Sequence, residues 1–132
     1  PTSTQLLASG RDLMATQICN VLTINMGSFN TATAAAARTY TATRRFRMYD
    51  LKVFQVTDPG AGANVVTVSN GATVCITKTT PNPPDTGDVM RLGQNGADTV
   101  DDTQMVVQPG GTCVFAVDNA ANVQASLYVF PL

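Results

Sequence analysis

Glycine, proline and asparagine divide the second half of this chain into apolar stretches too short for stable helices, and that punctuation constrains the fold most. Val65–Val68 and Thr73–Thr77 flank Ser69-Asn70-Gly71-Ala72, which reads as a hairpin closed by an Asn-Gly type I′ turn. Pro81-Asn82-Pro83-Pro84 cannot donate ladder hydrogen bonds and marks a surface loop. Val89–Leu92 reads as a short strand stopped by Gly93-Gln94-Asn95-Gly96. Gln104–Gln108 and Thr112–Val117 flank Pro109-Gly110-Gly111, a second hairpin signal. The last segment alternates strictly: Val123, Ala125, Leu127 and Val129 face one way, Gln124, Ser126, Tyr128 and Phe130 the other.

The first half is less regular. Ile18–Asn25 is β-branched and reads as a strand, whereas Gly27–Arg38, rich in small residues, reads as a loop or extended arm. Arg44–Thr57 is the longest strand candidate. Tyr49, Leu51 and Val53 alternate on one face, yet Phe46, Met48, Phe54 and Val56 fall on the other. That mixture implies a bulge or burial on both faces. With 132 residues and 44% hydrophobic content, the chain is long enough to bury one core. The expected fold class is therefore all-β: an antiparallel, jelly-roll-like β-sandwich over residues 18–132, preceded by an extended N-terminal arm over residues 1–17. No apolar run has the length of a membrane span.

Charged residues are 13% of the chain, about half the usual share, and they are unevenly placed. Residues 1–57 hold six basic residues against two aspartates, and residues 58–132 hold two against seven. This split allows head-to-tail attraction between copies, although the same charges could interleave on one surface. Cys19, Cys75 and Cys113 show no CxxC spacing and lie in apolar runs, which favours buried, reduced thiols. The opening residues show no basic-then-apolar leader, and no Asn-x-Ser/Thr sequon occurs, so assembly in the cytoplasm is expected.

Histidine and glutamate are both missing from the sequence. That removes the commonest general bases and any Ser-His or Cys-His nucleophile within one chain, so no catalytic residue, metal ligand set or cofactor site is assigned. Asp85-Thr86-Gly87 matches the aspartic-protease triplet, but Pro83-Pro84 precede it where that chemistry needs a rigid strand. Asp98, Asp101 and Asp102 lack the spacing of a calcium loop and read as a solvated turn. The basic cluster of Arg38, Arg44, Arg45, Arg47 and Lys52 carries more weight. Arginine's planar fork suits carboxylate or phosphate, while an isoelectric point near 5.0 argues against nucleic acid as the dedicated partner. Arg38, Arg44, Arg45 and Arg47 are accordingly the candidate inter-subunit contacts.

The stretch from Tyr49 to Leu132 resembles the small β-sandwich structural proteins of tailed bacteriophage particles, the head decoration (cement) and minor capsid proteins. The resemblance rests on Val65-Val66-Thr67-Val68-Ser69-Asn70-Gly71-Ala72, on Val107-Gln108-Pro109-Gly110-Gly111-Thr112 leading into Val114-Phe115-Ala116-Val117, and on the closing Asn122–Leu132. It implies a non-enzymatic virion structural protein that bridges neighbouring shell subunits as a homo-oligomer, a trimer being one such form. Its partners would be other capsid or virion proteins, with no membrane and no cofactor. Two alternatives stand beside it: an extracellular carbohydrate-binding or adhesin-like module, and a structural protein of the tail or fibre.

Overall fold

A computed structural model describes residues 21–30, 36–57, 62–118 and 122–132. The expected N-terminal arm lies outside the described residues. Among the described residues ten strands follow in order: β1 Leu22–Asn30, β2 Ala36–Thr41, β3 Phe46–Gln55, β4 Val65–Asn70, β5 Thr73–Thr79, β6 Val89–Arg91, β7 Ala97–Val100, β8 Val106–Val107, β9 Thr112–Val117 and β10 Asn122–Pro131. A single 3₁₀ turn, Asp102–Gln104, precedes β8. Among the described residues no helix is long and apolar enough to cross a membrane.

The strands form two sheets. Sheet one runs β1-β10-β3-β6, with β8 also paired to β3, and sheet two runs β2-β9-β4-β5-β7. Every pairing is antiparallel. The pairings are also nested. The first strand meets the last, β2 meets β9, β3 meets β8, and β4 meets β5 at the centre. This is a long hairpin rolled on itself, the jelly-roll arrangement of a β-sandwich. Inward residues of both sheets share one core: Leu51, Val53, Val123 and Leu127 from sheet one against Val66, Val68, Ile76 and Phe115 from sheet two, all fully buried.

β10 keeps the alternation expected of it, with Val123, Ala125, Leu127 and Val129 buried. β3 carries the expected bulge. Tyr128 pairs with Asp50 and Val129 with Met48, so Tyr49 is the extra residue. Phe46 and Met48 on one side and Leu51 and Val53 on the other therefore all reach the core.

Four local readings are corrected. The β4–β5 hairpin exists, but Asn70 pairs with Thr73, so the turn residues are Gly71-Ala72. Of the two turn residues only Gly71 has a positive φ, 61°, which is the pattern of a type II′ rather than a type I′ turn. Asn70 is used otherwise: its amide donates to the carbonyls of Gln104 (3.0 Å) and Val106 (2.8 Å). Pro109-Gly110-Gly111 does make a turn, with Gly111 N–H donating to Gln108 O at 2.9 Å. It joins β8 in sheet one to β9 in sheet two, however, and is a crossing between sheets instead of a hairpin. Finally, the first strand begins at Leu22 and extends to Asn30. Of the supposed arm Gly27–Arg38, residues 27–30 belong to that strand, while residues 36–38 open the edge strand β2, Ala36–Thr41. Residues 97–100 form the other edge strand of that sheet, β7, which the sequence did not signal.

Candidate interaction surface

The arginine cluster separates into two roles. Arg38, on edge strand β2, reaches across to edge strand β1. Its guanidinium donates to Met26 O and Ser28 O, both at 2.6 Å, and lies 4.6 Å from the centroid of the Phe29 ring. Gly27 sits at a register shift in β1, and a Cβ there would lie 2.9 Å from the Arg38 guanidinium. Glycine at this position lets the arginine approach the backbone. Arg38 thus ties the two sheets together along their shared open side.

Arg44 and Arg45 are exposed where the chain turns from β2 into β3, and Arg47 is exposed at the turn-proximal start of β3. The turn is anchored on both sides. Ala42 exchanges backbone hydrogen bonds with Gly110 and Gly111, each 2.8 Å, and Arg45 O accepts from Leu132 N–H at 3.0 Å. Among the described residues no carboxylate lies within ion-pair distance of these three side chains. Arg44 also borders a recess of about 170 Å³ lined by Leu22, Ile24, Tyr40, Phe46 and Val129. Cation and apolar wall therefore adjoin at one corner of the roll.

The outward face of sheet one continues from this corner. Tyr49, 55% exposed, packs on Phe130 with ring centroids 4.9 Å apart. Arg91 pairs with Asp50 at 2.9 Å and lies 5.2 Å from the Tyr128 ring centroid. The Asp50 hydrogen bond holds the Arg91 guanidinium above its ordinary pKa. Farther along the same face Asn25, Lys52, Phe54, Gln124 and Ser126 surround a depression of about 310 Å³.

The remaining polar groups are tied up in the fold. Lys78 is fully buried, and its ammonium donates to Arg91 O (2.7 Å) and Gln94 O (2.6 Å), with an Asp98 carboxylate oxygen at 3.6 Å. Sequence reasoning missed this lysine, because an isolated lysine in a Thr-rich strand gives no sign of facing inward. Two of the three aspartates read as a turn have separate partners. Asp98 accepts from Gly93 N–H at 2.9 Å, and Asp101 caps the 3₁₀ turn by accepting from Thr103, which lowers its pKa. Among the described residues no group of three or more Cys, Asp, Glu or His could hold a metal. Asp85 of the Asp-Thr-Gly triplet is exposed in a turn whose backbone bonds to Asp88 and Gln55.

Cys75 and Cys113 are free and buried, as expected, and burial pushes their thiols up to about 11 and about 12. The Cys75 thiol donates to Val68 O at 3.2 Å. Cys19 lies outside the described residues.

No protein-family model matches the chain, and no curated protein matches it. Among solved structures it is similar to a chain in the structure of infectious bursal disease virus, Gx strain, at 18% identity and a TM-score of 0.40. The match covers 83% of this chain and 31% of that one, so this chain spans less than a third of its length. At that level the likeness transfers no function.

Proposed function

We propose that this chain is a non-enzymatic virion structural protein, of the capsid decoration (cement) or minor capsid type, that bridges neighbouring shell subunits. The observation that carries the reading is the anchored corner of Arg44, Arg45 and Arg47, three exposed cations with no ion-pair partner among the described residues, beside an apolar recess. A fold that ties down Arg38, Arg91 and Lys78 internally leaves these three, and Lys52 on the outer face of sheet one, for something outside it. The partner it suits presents carboxylates and a small apolar projection. Another copy of the chain offers the first at Asp85 and Asp102, both exposed. Contacts of this kind are individually weak, and repetition over a shell makes their sum large. The chain would then act in the virion, assembled in the host cytoplasm, with other virion proteins and its own copies as partners.

Light scattering with mass determination on the purified chain tests the contacts. Replacing Arg44, Arg45 and Arg47 together by aspartate is expected to reduce assembly at low salt while leaving the circular dichroism spectrum unchanged. Wild-type assembly should weaken as salt is raised through the range where exposed charges are screened. A triple variant that assembles like the wild type overturns the reading of this corner as the contact.

A further inference from the structure

We propose that the depression on the outward face of sheet one binds a carboxylate-bearing sugar, a uronic or sialic acid unit. Three neighbouring strands build it. Asn25 of β1 is in register with Ser126 of β10, and Ser126 with Lys52 of β3, which lines up one polar row. Gln124 faces Phe54 in the next row. At about 310 Å³ the space matches the lower end of small-ligand sites, room for one or two sugar rings.

Most of the functional groups around it are unspent. Asn25 Oδ1 accepts from Gly27 N–H at 2.8 Å, which leaves the side-chain NH₂ as an outward donor. Lys52, Gln124 and Ser126 have no side-chain partner among the described residues. No carboxylate lines the depression, and Asp50, on the same face, is already paired to Arg91. Lys52 is thus the uncompensated charge of the site, and an anion is the ligand that satisfies it.

The surrounding chemistry narrows the anion. A phosphate or sulfate only accepts hydrogen bonds and is best held by several cations or backbone amides. Here one ammonium stands among two amides and a hydroxyl, which both donate and accept, and beside a half-buried phenyl ring. Sugar hydroxyls donate and accept in the same way, and the C–H face of a pyranose packs against an aromatic wall. One carboxylate on such a ring meets the single cation. Strands hold all five side chains, so the site is formed before any ligand arrives. The proposal concerns the isolated chain and stands apart from its place in a virion.

The test is titration of the isotopically labelled chain, followed by amide chemical shifts, with sialyllactose and trigalacturonate as the two acidic probes. Lactose and maltotriose serve as neutral controls and inorganic phosphate as the competitor. At least one acidic probe is expected to give saturable shifts at residues 25, 52, 54, 124 and 126 with a Kd of about 1 mM, as suits a shallow site. Which acidic probe saturates identifies the source of the carboxylate. Lys52→Gln, at a solvent-facing position, is expected to keep the native spectrum and weaken binding about tenfold, as are the neutral sugars. Absence of saturable shifts up to about 10 mM, far above that Kd, overturns the proposal. So do shifts that map elsewhere, an unchanged affinity in Lys52→Gln, or phosphate binding as tightly as the sugars.

Discussion

The two sheets bury the same kind of side chain and expose different ones. On β9 and β4, at the middle of sheet two, the outward residues are Val114, Ala116, Val65, Thr67 and Ser69, all small and uncharged. On β10 and β3, at the middle of sheet one, they include Gln124, Tyr128, Phe130, Arg47, Tyr49, Lys52 and Phe54. Alternation decides which half of a strand is buried, and it leaves the other half unconstrained by the core. The long, charged and aromatic side chains have gathered on one outer face, which is why the candidate contacts and the sugar site lie there.

The chain's two lysines express this contrast most sharply. Both belong to strands that flank Arg91: Lys52 is its register partner in sheet one, and Lys78 of sheet two donates to its carbonyl. Lys52 faces solvent and Lys78 is buried. The largest expected effect is therefore at Lys78. Lys78→Ala leaves two carbonyls and Asp98 without their cation and should cost about 3–5 kcal/mol in denaturant unfolding. Lys78→Met, which refills the volume, should recover part of that loss. A loss below about 0.5 kcal/mol, the size of a neutral surface change, would mean that the two lysines are equivalent after all.

A smaller effect is expected where sheet two reaches sheet one at an edge. Arg38→Ala removes two hydrogen bonds to β1 carbonyls and the contact with Phe29, at a partly solvated site, and should cost about 1–2 kcal/mol. It also uncovers acceptors on an edge strand, so self-association at high concentration should rise. An unchanged denaturation midpoint would show that the edge closes without it.

The smallest effect near neutral pH comes from the core both sheets share. The Cys75 and Cys113 thiols stay protonated in the fold up to about 11 and about 12, above the ordinary 9.0 that applies once the chain unfolds. Their contribution to stability is complete below pH 9.0 and is lost as pH rises from there through the folded values. Thermal melts should therefore show a stability loss on this limb that a Cys75→Ala, Cys113→Ala variant lacks. Parallel alkaline limbs in the two proteins would exclude the thiols as its cause.

Much of the architecture was legible where one strand's own pattern suffices. β10 alternates without a break, and the broken alternation of β3 gave a bulge as one of two readings, which its pairing with β10 decided. Ala36–Thr41 and Ala97–Val100 were not legible, because edge strands rich in Ala, Thr and Asp are fixed by the neighbour they pair with. Pro109-Gly110-Gly111 encodes a reversal, and nothing local says that the chain changes sheets there. The surface was legible in part. The run from Arg44 to Arg47 stands out in the sequence, yet the inward use of Arg38 depends on Gly27 across the gap between sheets. Asn25, Lys52, Phe54, Gln124 and Ser126 come from three distant segments, and only register makes them neighbours.

Nested pairing has a consequence for the order in which the chain is made. β10, made after the other nine described strands, is not an edge but the strand between β1 and β3. Until residues 122–131 emerge, the earliest strand of sheet one has no neighbour, and β3 offers a bare long edge. A product released before that point is not a smaller version of the domain. It is a complete sheet two facing a sheet one in which β1 is unpaired and β3 is paired, to β6 and β8, on one edge only, the kind of species that seeks strands on other chains.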